Sequence, residues 1–330
     1  MKILVSGAAG YIGSTVVPSL LQADHEVVAF DKLVYGGEAL LGAAHHPRFR
    51  LVVGDVRDRP LLGASLAGVE AMLHLAAVVG EPACALDEDQ AQDINFGGTE
   101  SALAVAKEAG VQRFLFVSTC SNYGISDVQG AIDEDAPLKP LSRYASSKVQ
   151  AERLVLEQPA ALCATVLRLG TICGMSPRMR FDLLVSDMAR AAALGLPIRI
   201  FAPDAWRPYL HVRDAAKAVQ RCLAAPMPAL RNRVFNVVGE NCQKKDLVGL
   251  VRKHYPATRI EVTDKQPDAR DYRVSAERMA RELGFQATRS VEEAFLETAH
   301  AVAEGIFRDP MWHGHSAIPD DVSRLRLGPG

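Results

Sequence analysis

Apolar residues in the first half of the chain follow two rhythms. Short, nearly continuous apolar runs at Lys2–Val5, Glu26–Phe30, Phe49–Val53, Ala71–Leu75 and Arg113–Ser118 predict strands, while Tyr11–Leu21, Pro60–Ala67 and Thr99–Ala109 space their apolar positions as helices do. Strand and helix alternate, and repeated units of this kind with right-handed crossovers predict an α/β fold built on a parallel, doubly wound sheet. The spacing predicts a further helix over Ser142–Glu157, where Tyr144, Val149, Leu154 and Leu156 sit among Lys148, Glu152 and Arg153, and a sixth strand over Ala164–Leu169. From Gly170 to Leu210 the alternation lapses into a stretch holding Pro177, Pro197, Pro203 and Pro208, which reads as the loop-rich start of a smaller lobe. A helix at Val212–Ala225 and a strand at Val234–Val238 then revisit the sheet. Amphipathic segments at Lys244–Lys253, Ser275–Leu283 and Val291–Gly305 complete the smaller lobe, and the tail after Arg308 has no period. The expected division is a sheet domain over 1–170 with a return segment at 211–239, and a second α/β lobe over 171–210 and 240–330.

Composition narrows the function. The 330 residues are 48% hydrophobic and 23% charged, ordinary for a globular protein and far from a disordered chain. With 37 Lys plus Arg against 39 Asp plus Glu, the net charge of -2 offers no basic field for nucleic acid, so a small-molecule partner is expected. Cys84, Cys120, Cys163, Cys173, Cys222 and Cys242 are scattered without metal-ligand spacing, which predicts no metal site and a reduced, cytoplasmic protein. Residues 3–23 carry no charge, yet Gly7, Gly10, Gly13 and Pro18 interrupt them, so no membrane span or leader is expected there. His313 and His315 read as a solvated tail, since no third ligand accompanies them.

The glycines have a different explanation. Gly7-Ala8-Ala9-Gly10-Tyr11-Ile12-Gly13 follows a strand and opens a helix, so a tight turn and close backbone approach become possible while the helix N-terminus faces a pyrophosphate. Asp31, ending the second strand, can accept from both hydroxyls of an adenosine ribose and disfavours a 2′-phosphate, whereas the Lys32 ammonium beside it would accommodate one. Asp55-Val56 and Leu75-Ala76-Ala77 fall at the carboxyl edge of the sheet, where a dinucleotide would lie; His74 reads as a packed core histidine. Tyr144 and Lys148, four apart, share one helix face, so the ammonium favours phenolate. A free phenol titrates at about 10, and bringing it to about 7 takes on the order of 4 kcal/mol. Ser118-Thr119, at the end of the preceding strand, can aim a hydroxyl at the same substrate alcohol.

Together these residues resemble the extended short-chain dehydrogenase/reductases, in particular the nucleotide-sugar epimerase and dehydratase branch, over almost the whole chain. The carriers are G-x-x-G-x-x-G at Gly7–Gly13, Asp31, Gly54-Asp55-Val56, His74-Leu75-Ala76-Ala77, Asn95 in D-I-N-x-x-G-T, Ser118–Gly124 in S-T-x-x-x-Y-G register, and Tyr144-x-x-x-Lys148. The resemblance implies a Rossmann-type fold, NAD as cofactor, Thr119 as the catalytic hydroxyl, Tyr144 as acid/base, Lys148 as the cofactor-binding lysine, and homodimers built on a helix bundle. Arg207 in R-P-Y-L-H-V-R-D and Arg270 near Tyr272 match the family's second-lobe arginines, which implies that they grip a substrate diphosphate through bidentate guanidinium contacts.

Three departures bear on the reaction. Thr171 stands where the family carries a substrate-contacting asparagine; Ser176–Asp182, with Arg178 and Arg180, has no close counterpart and reads as a candidate lining of the sugar pocket. Cys120-Ser121 replaces the dehydratase Asp-Glu pair, removing the acid that expels water from C6. The Cys120 thiol reads either as a second acid/base on the sugar or as a small buried cysteine behind Thr119. The expected activity is an NAD-dependent nucleotide-sugar epimerase working through a transient keto sugar, most simply at C4. A reductase or dehydrogenase with exchangeable NAD(P)H, or a dinucleotide-binding sensor without turnover, are the alternatives.

Overall fold

The computed structural model describes residues 1–125, 130–159, 161–263 and 268–311. Seven strands form one parallel sheet: β1 (Lys2–Ser6), β2 (Glu26–Asp31), β3 (Phe49–Val53), β4 (Ala71–His74), β5 (Arg113–Thr119), β6 (Cys163–Leu169) and β10 (Arg233–Val237), in the order β10-β6-β5-β4-β1-β2-β3. The chain runs outward from β1 to β3, then crosses to β4 on β1's other side. That reversal opens a crevice at the carboxyl ends of β1 and β4.

Alternate residues of each strand serve opposite faces, as a period of two requires. Ile3, Val5, Val27, Ala29, Leu115 and Val117 pack against the helices Gly13–Gln22 and Val212–Ala224. Leu4, Val28, Phe30, Met72, Phe114 and Phe116 pack against Arg59–Ser65, Gly98–Glu108 and Arg143–Leu156. Burial on both faces explains why the central strands read as nearly continuous apolar runs, while β3 at the edge is the most exposed of them.

The stretch 170–210 is more regular than its prolines predict. It holds β7 (Thr171–Cys173), a helix Leu184–Ala193, β8 (Ile198–Phe201) and β9 (Trp206–His211). Later come β11 (Glu240–Gln243), the helix Lys244–His254, β12 (Ile260–Thr263) and the helices Glu277–Leu283 and Val291–Ala303. β9 is the middle strand of a three-stranded sheet, β11-β9-β7, and β8 pairs with β12. Pro208 is tolerated in β9 because pairing with β7 begins only at Tyr209. Leu184–Ala193 escapes a pattern reading because its buried stripe is built from Val185, Met188, Ala189 and Ala192, with few large side chains. Among the described residues no helix is long and apolar enough to cross a membrane; His313 and His315 lie outside them.

Candidate active site

The crevice above β1 and β4 widens into a cavity of about 830 Å³, also lined by Thr171 and Ile172 of β7, Phe201 of β8 and the segment 268–270. On its first wall, Gly7 turns the chain at φ +74°, and a Cβ there would stand 2.7 Å from the Ala76 nitrogen. At Gly13 a Cβ would stand 2.2 Å from the Gly7 carbonyl oxygen, so both positions exclude any side chain. Gly10 is the opposite case: a Cβ there meets only the Gly7 oxygen, at 3.3 Å, and would project into the cavity a ligand backbone needs to approach. Tyr11 and Ile12 line the cavity beside it.

Asp31 accepts from the Ala9 and Leu33 N–H groups, at 2.9 and 2.8 Å, one bond per carboxylate oxygen. Each oxygen keeps a lone pair for a ribose hydroxyl. Burial nevertheless raises its carboxyl. Lys32 points its ammonium at Asp55, 3.1 Å away, and Arg57 binds the same carboxylate at 2.9 and 2.7 Å, holding it well below the usual carboxylate range. Lys32 is thus engaged by a carboxylate, and the ribose end fits NAD. Val56, Leu75, Ala76 and Ala77 line the same wall. His74 is fully buried between Ser6 (2.7 Å) and Thr99 (3.2 Å), and burial pulls it down to about 3, so it is a neutral core residue. A single π-helical turn at Asp93–Gly97 brings the Asn95 carboxamide to both backbone polar groups of Val78, at 2.8 and 3.0 Å, fixing the loop after β4.

The reactive wall comes from the end of β5 and the helix Arg143–Leu156, which Ser142 caps by accepting from the Ala145 N–H. Thr119 Oγ1 accepts from the Ser121 N–H at 3.0 Å, which leaves the Thr119 hydroxyl proton to donate into the cavity. Tyr144 lines the cavity, its phenol pushed up to about 12 by burial. The Lys148 ammonium donates to the Val117 carbonyl at 3.0 Å and lies 4.6 Å over the Phe116 ring; burial pulls it down to about 8, against the pull of Glu152. Thr119, Tyr144 and Lys148 share one cavity wall with the glycine-rich turn.

Thr171, Arg178, Arg180 and Arg270 also line the cavity. Arg178 stacks 4.5 Å over the Tyr35 ring, Arg180 pairs with Asp182, and Arg270 pairs with Asp268 at 2.8 Å while its Nη1 donates to Ser121 Oγ at 2.7 Å. Two of the expected site residues do not reach the cavity. Arg207 is 4% exposed and stands one layer back, pairing with Asp268 at 3.0 Å and donating to the Trp206 and Arg270 carbonyls. Cys120 turns the other way from its neighbours: its thiol donates to the Arg168 carbonyl at 3.3 Å within a cluster of Tyr123, Ile132, Val238, Tyr272 and Val274, and burial raises it far above the ordinary thiol range. Strand alternation through Thr119 and the turn that follows sends Thr119 and Ser121 to the cavity and Cys120 to the core. Such a thiol is no acid or base for a sugar, and Cys120→Ala is expected to keep kcat within about threefold of wild type, a small effect beside the 10²-fold or more that an acid/base residue contributes. A drop beyond tenfold in steady-state turnover would return the thiol to the chemistry.

Pattern reading passed over Ser121 and Asp268, which tie Arg270 to the wall, while Asp182, inside the segment read as a candidate lining, pairs with Arg180; the acid two positions before Arg270 was the available signal. Among the described residues no group of three His, Cys, Asp or Glu side chains could hold a metal ion.

Comparison with known proteins agrees with this geometry. A family model described as "NAD dependent epimerase/dehydratase family" matches residues 3–238. A dTDP-glucose 4,6-dehydratase of Streptomyces griseus is 33% identical over 302 residues, 86% of this chain and 88% of that protein. A UDP-glucose 4-epimerase of Corynebacterium glutamicum is 28% identical over 326 residues, 93% of this chain and 97% of its own. Among solved structures, the dTDP-glucose 4,6-dehydratase DesIV of Streptomyces venezuelae, crystallised with NAD, superposes with a TM-score of 0.82 at 26% identity, covering 92% of this chain and 97% of that one. The cradle of glycines, the Asp31 carboxylate at the end of β2 and the matched span lead to one conclusion: the chain belongs to the NAD-dependent epimerase/dehydratase family and is an enzyme that uses NAD.

Proposed function

We propose that the enzyme is a nucleotide-sugar 4-epimerase: it oxidises C4 of a nucleoside diphosphate sugar and reduces the resulting ketone from its other face. When bound, NAD would supply the acceptor for the hydrogen that leaves C4 with its electron pair, and the donor for its return. The chain's residues do the rest. Tyr144 takes the hydroxyl proton and later returns it, Thr119 donates a hydrogen bond to the same oxygen, and Lys148 favours the phenolate form of Tyr144. Gly7, Gly10, Gly13 and Asp31 hold the cofactor, Arg270 faces the substrate's phosphates, and Arg178 and Arg180 line the cavity on the sugar's side.

The observation that carries the choice of reaction is the wall beside Thr119. The relatives include both dehydratases and epimerases. Eliminating water from C6 requires a carboxylic acid next to the catalytic threonine, and here the adjacent positions carry a thiol turned into the core and a serine bound to Arg270. Two other lining carboxylates are engaged by arginine, Asp182 by Arg180 and Asp268 by Arg270 and Arg207.

The test is to incubate the purified enzyme with UDP-glucose and with dTDP-glucose in D2O and follow the products by NMR and mass. Inversion at C4 with unchanged mass and no deuterium is the expected result, since the hydrogen at C4 never reaches solvent. Loss of one water would make it a dehydratase, and deuterium at C3 or C5 would move the inversion to those carbons. Denaturing the protein should also release about one NAD per chain, because the reduced cofactor has to stay through each cycle; an empty protein that consumes NAD(P)H stoichiometrically would be a reductase.

A further inference from the structure

Lys244, the first residue of the helix Lys244–His254, is 3% exposed. Burying an ammonium is costly unless something compensates its charge. Its Nζ donates to the Phe201 carbonyl at 3.1 Å and lies 4.2 Å over the Phe201 ring; among the described residues no carboxylate pairs with it. Phe201 lines the cavity together with Asp268 and Arg270. Among the described residues, the charged groups that act most on Lys244 are Arg207 on β9 and Asp268, Arg270 and Asp271 on the adjoining segment. Lys244 thus sits behind the part of the cavity lined by Phe201, Asp268 and Arg270.

The lysine is also tied into that wall. Its own N–H donates to the Ala205 carbonyl, the Lys245 N–H to that of Pro203, and Gln243 Nε2 to that of Asp204, so the first turn of the helix fastens the 201–205 loop. Any anion drawn toward Arg270 lies in the field of Lys244 across a single layer of side chains, where water screens little.

We propose that Lys244 is a positioning residue of the phosphate end: from one layer behind the wall it supplies a third positive charge for the substrate's diphosphate and takes up a proton when that dianion binds. The inference rests on the nucleotide-sugar reading above. Burial, with Arg207 beside it, pulls the ammonium down to about 8 in the ligand-free chain. A nearby dianion favours the charged form, so at pH 8 about half a proton is absorbed per ligand bound, and affinity falls by up to about tenfold between pH 7 and pH 9.

Calorimetric titration of the NAD-loaded enzyme with UDP-glucose and with dTDP-glucose, at pH 8 in two buffers of different ionisation enthalpy, reads the proton uptake; repeating it at pH 7 and 9 reads the affinity. The wild type is expected to absorb the proton and to weaken as pH rises. Lys244→Met should bind several-fold more weakly at pH 7 with no uptake. Lys244→Arg, whose guanidinium does not titrate, should restore affinity and keep it flat with pH, and it serves should the methionine variant fail to fold. Wild-type binding without uptake overturns the proposal. So does uptake that persists in Lys244→Met or Lys244→Arg, which would assign the proton to Lys148. If neither sugar nucleotide binds the wild type, the substrate reading itself falls, and this inference with it.

Discussion

Tyr144→Phe is expected to lower kcat about 10²–10⁴-fold, the usual weight of a positioned acid/base group, with KM and the NAD released on denaturation little changed. The ring still fills the wall, and among the described residues no group hydrogen-bonds the Tyr144 hydroxyl, so its removal orphans no partner. The size of the effect follows from the electrostatics. Burial holds the phenol at about 12, and accepting a proton at pH 7 requires bridging that gap, on the order of 7 kcal/mol. Lys148 stands one helical turn away, itself pulled down to about 8 by burial. Each group in its charged form compensates the other's desolvation, so the pair ionises together more readily than either alone. A variant within tenfold of wild type in initial rates of C4 inversion would take Tyr144 out of the reaction.

Arg168→Met is expected to cost about 3–5 kcal/mol of unfolding free energy, the largest stability effect predicted for a single side chain here. Arg168 and Glu152 form an ion pair at 2.7 Å with side chains only 5% and 3% exposed. Glu152 also accepts from Ser118 at 2.5 Å and Asn122 at 2.7 Å, and Arg168 donates to the Tyr123 hydroxyl at 2.9 Å. Removing the guanidinium leaves a buried carboxylate with neutral donors only. The double variant Arg168→Met with Glu152→Met should recover a good part of the loss, because no charge is then left behind. Urea midpoints of the three proteins decide the matter, and a single variant within 1 kcal/mol of wild type would contradict it. The network lies directly beneath the reactive wall, since Ser118 precedes Thr119 and Glu152 follows Lys148 by one turn. Loss of activity in a folded Arg168→Met protein is therefore a displacement of those two residues.

The sheet half of the molecule was legible because its physics is local and repetitive. Strands covered on both faces must be apolar nearly throughout, as in Val27–Phe30 and Phe114–Val117, and the glycine-rich turn has almost no other use in that position. The region after Gly170 hid its order for equally physical reasons. The Leu184–Ala193 helix buries small side chains, β9 carries a proline where no partner needs its N–H, and β11 and β12 are four residues each, too short for a period to declare itself. Within the site, residues placed by one motif on one element came together: Gly7–Gly13, Asp31, Thr119, Tyr144 and Lys148. The outward or inward sense of Cys120 depends on a turn after β5, and the retreat of Arg207 on the Asp268 carboxylate 61 positions later in the chain. Neither is encoded in neighbouring letters. Lys244 looked like part of an ordinary charged helix start, and only the burial around it sets it apart.

The strand pairings bear on how this enzyme could be recombined with its relatives. After β6 the chain leaves the main sheet, forms β7, β8 and β9, returns as β10, and leaves again to form β11 and β12. Both small sheets join the first excursion to the second, through β9 with β11 and β8 with β12. A graft of either excursion alone would set foreign edges against native ones in both sheets. The smaller lobe is thus inherited as two separated stretches of sequence that travel together, with a strand of the main sheet held between them.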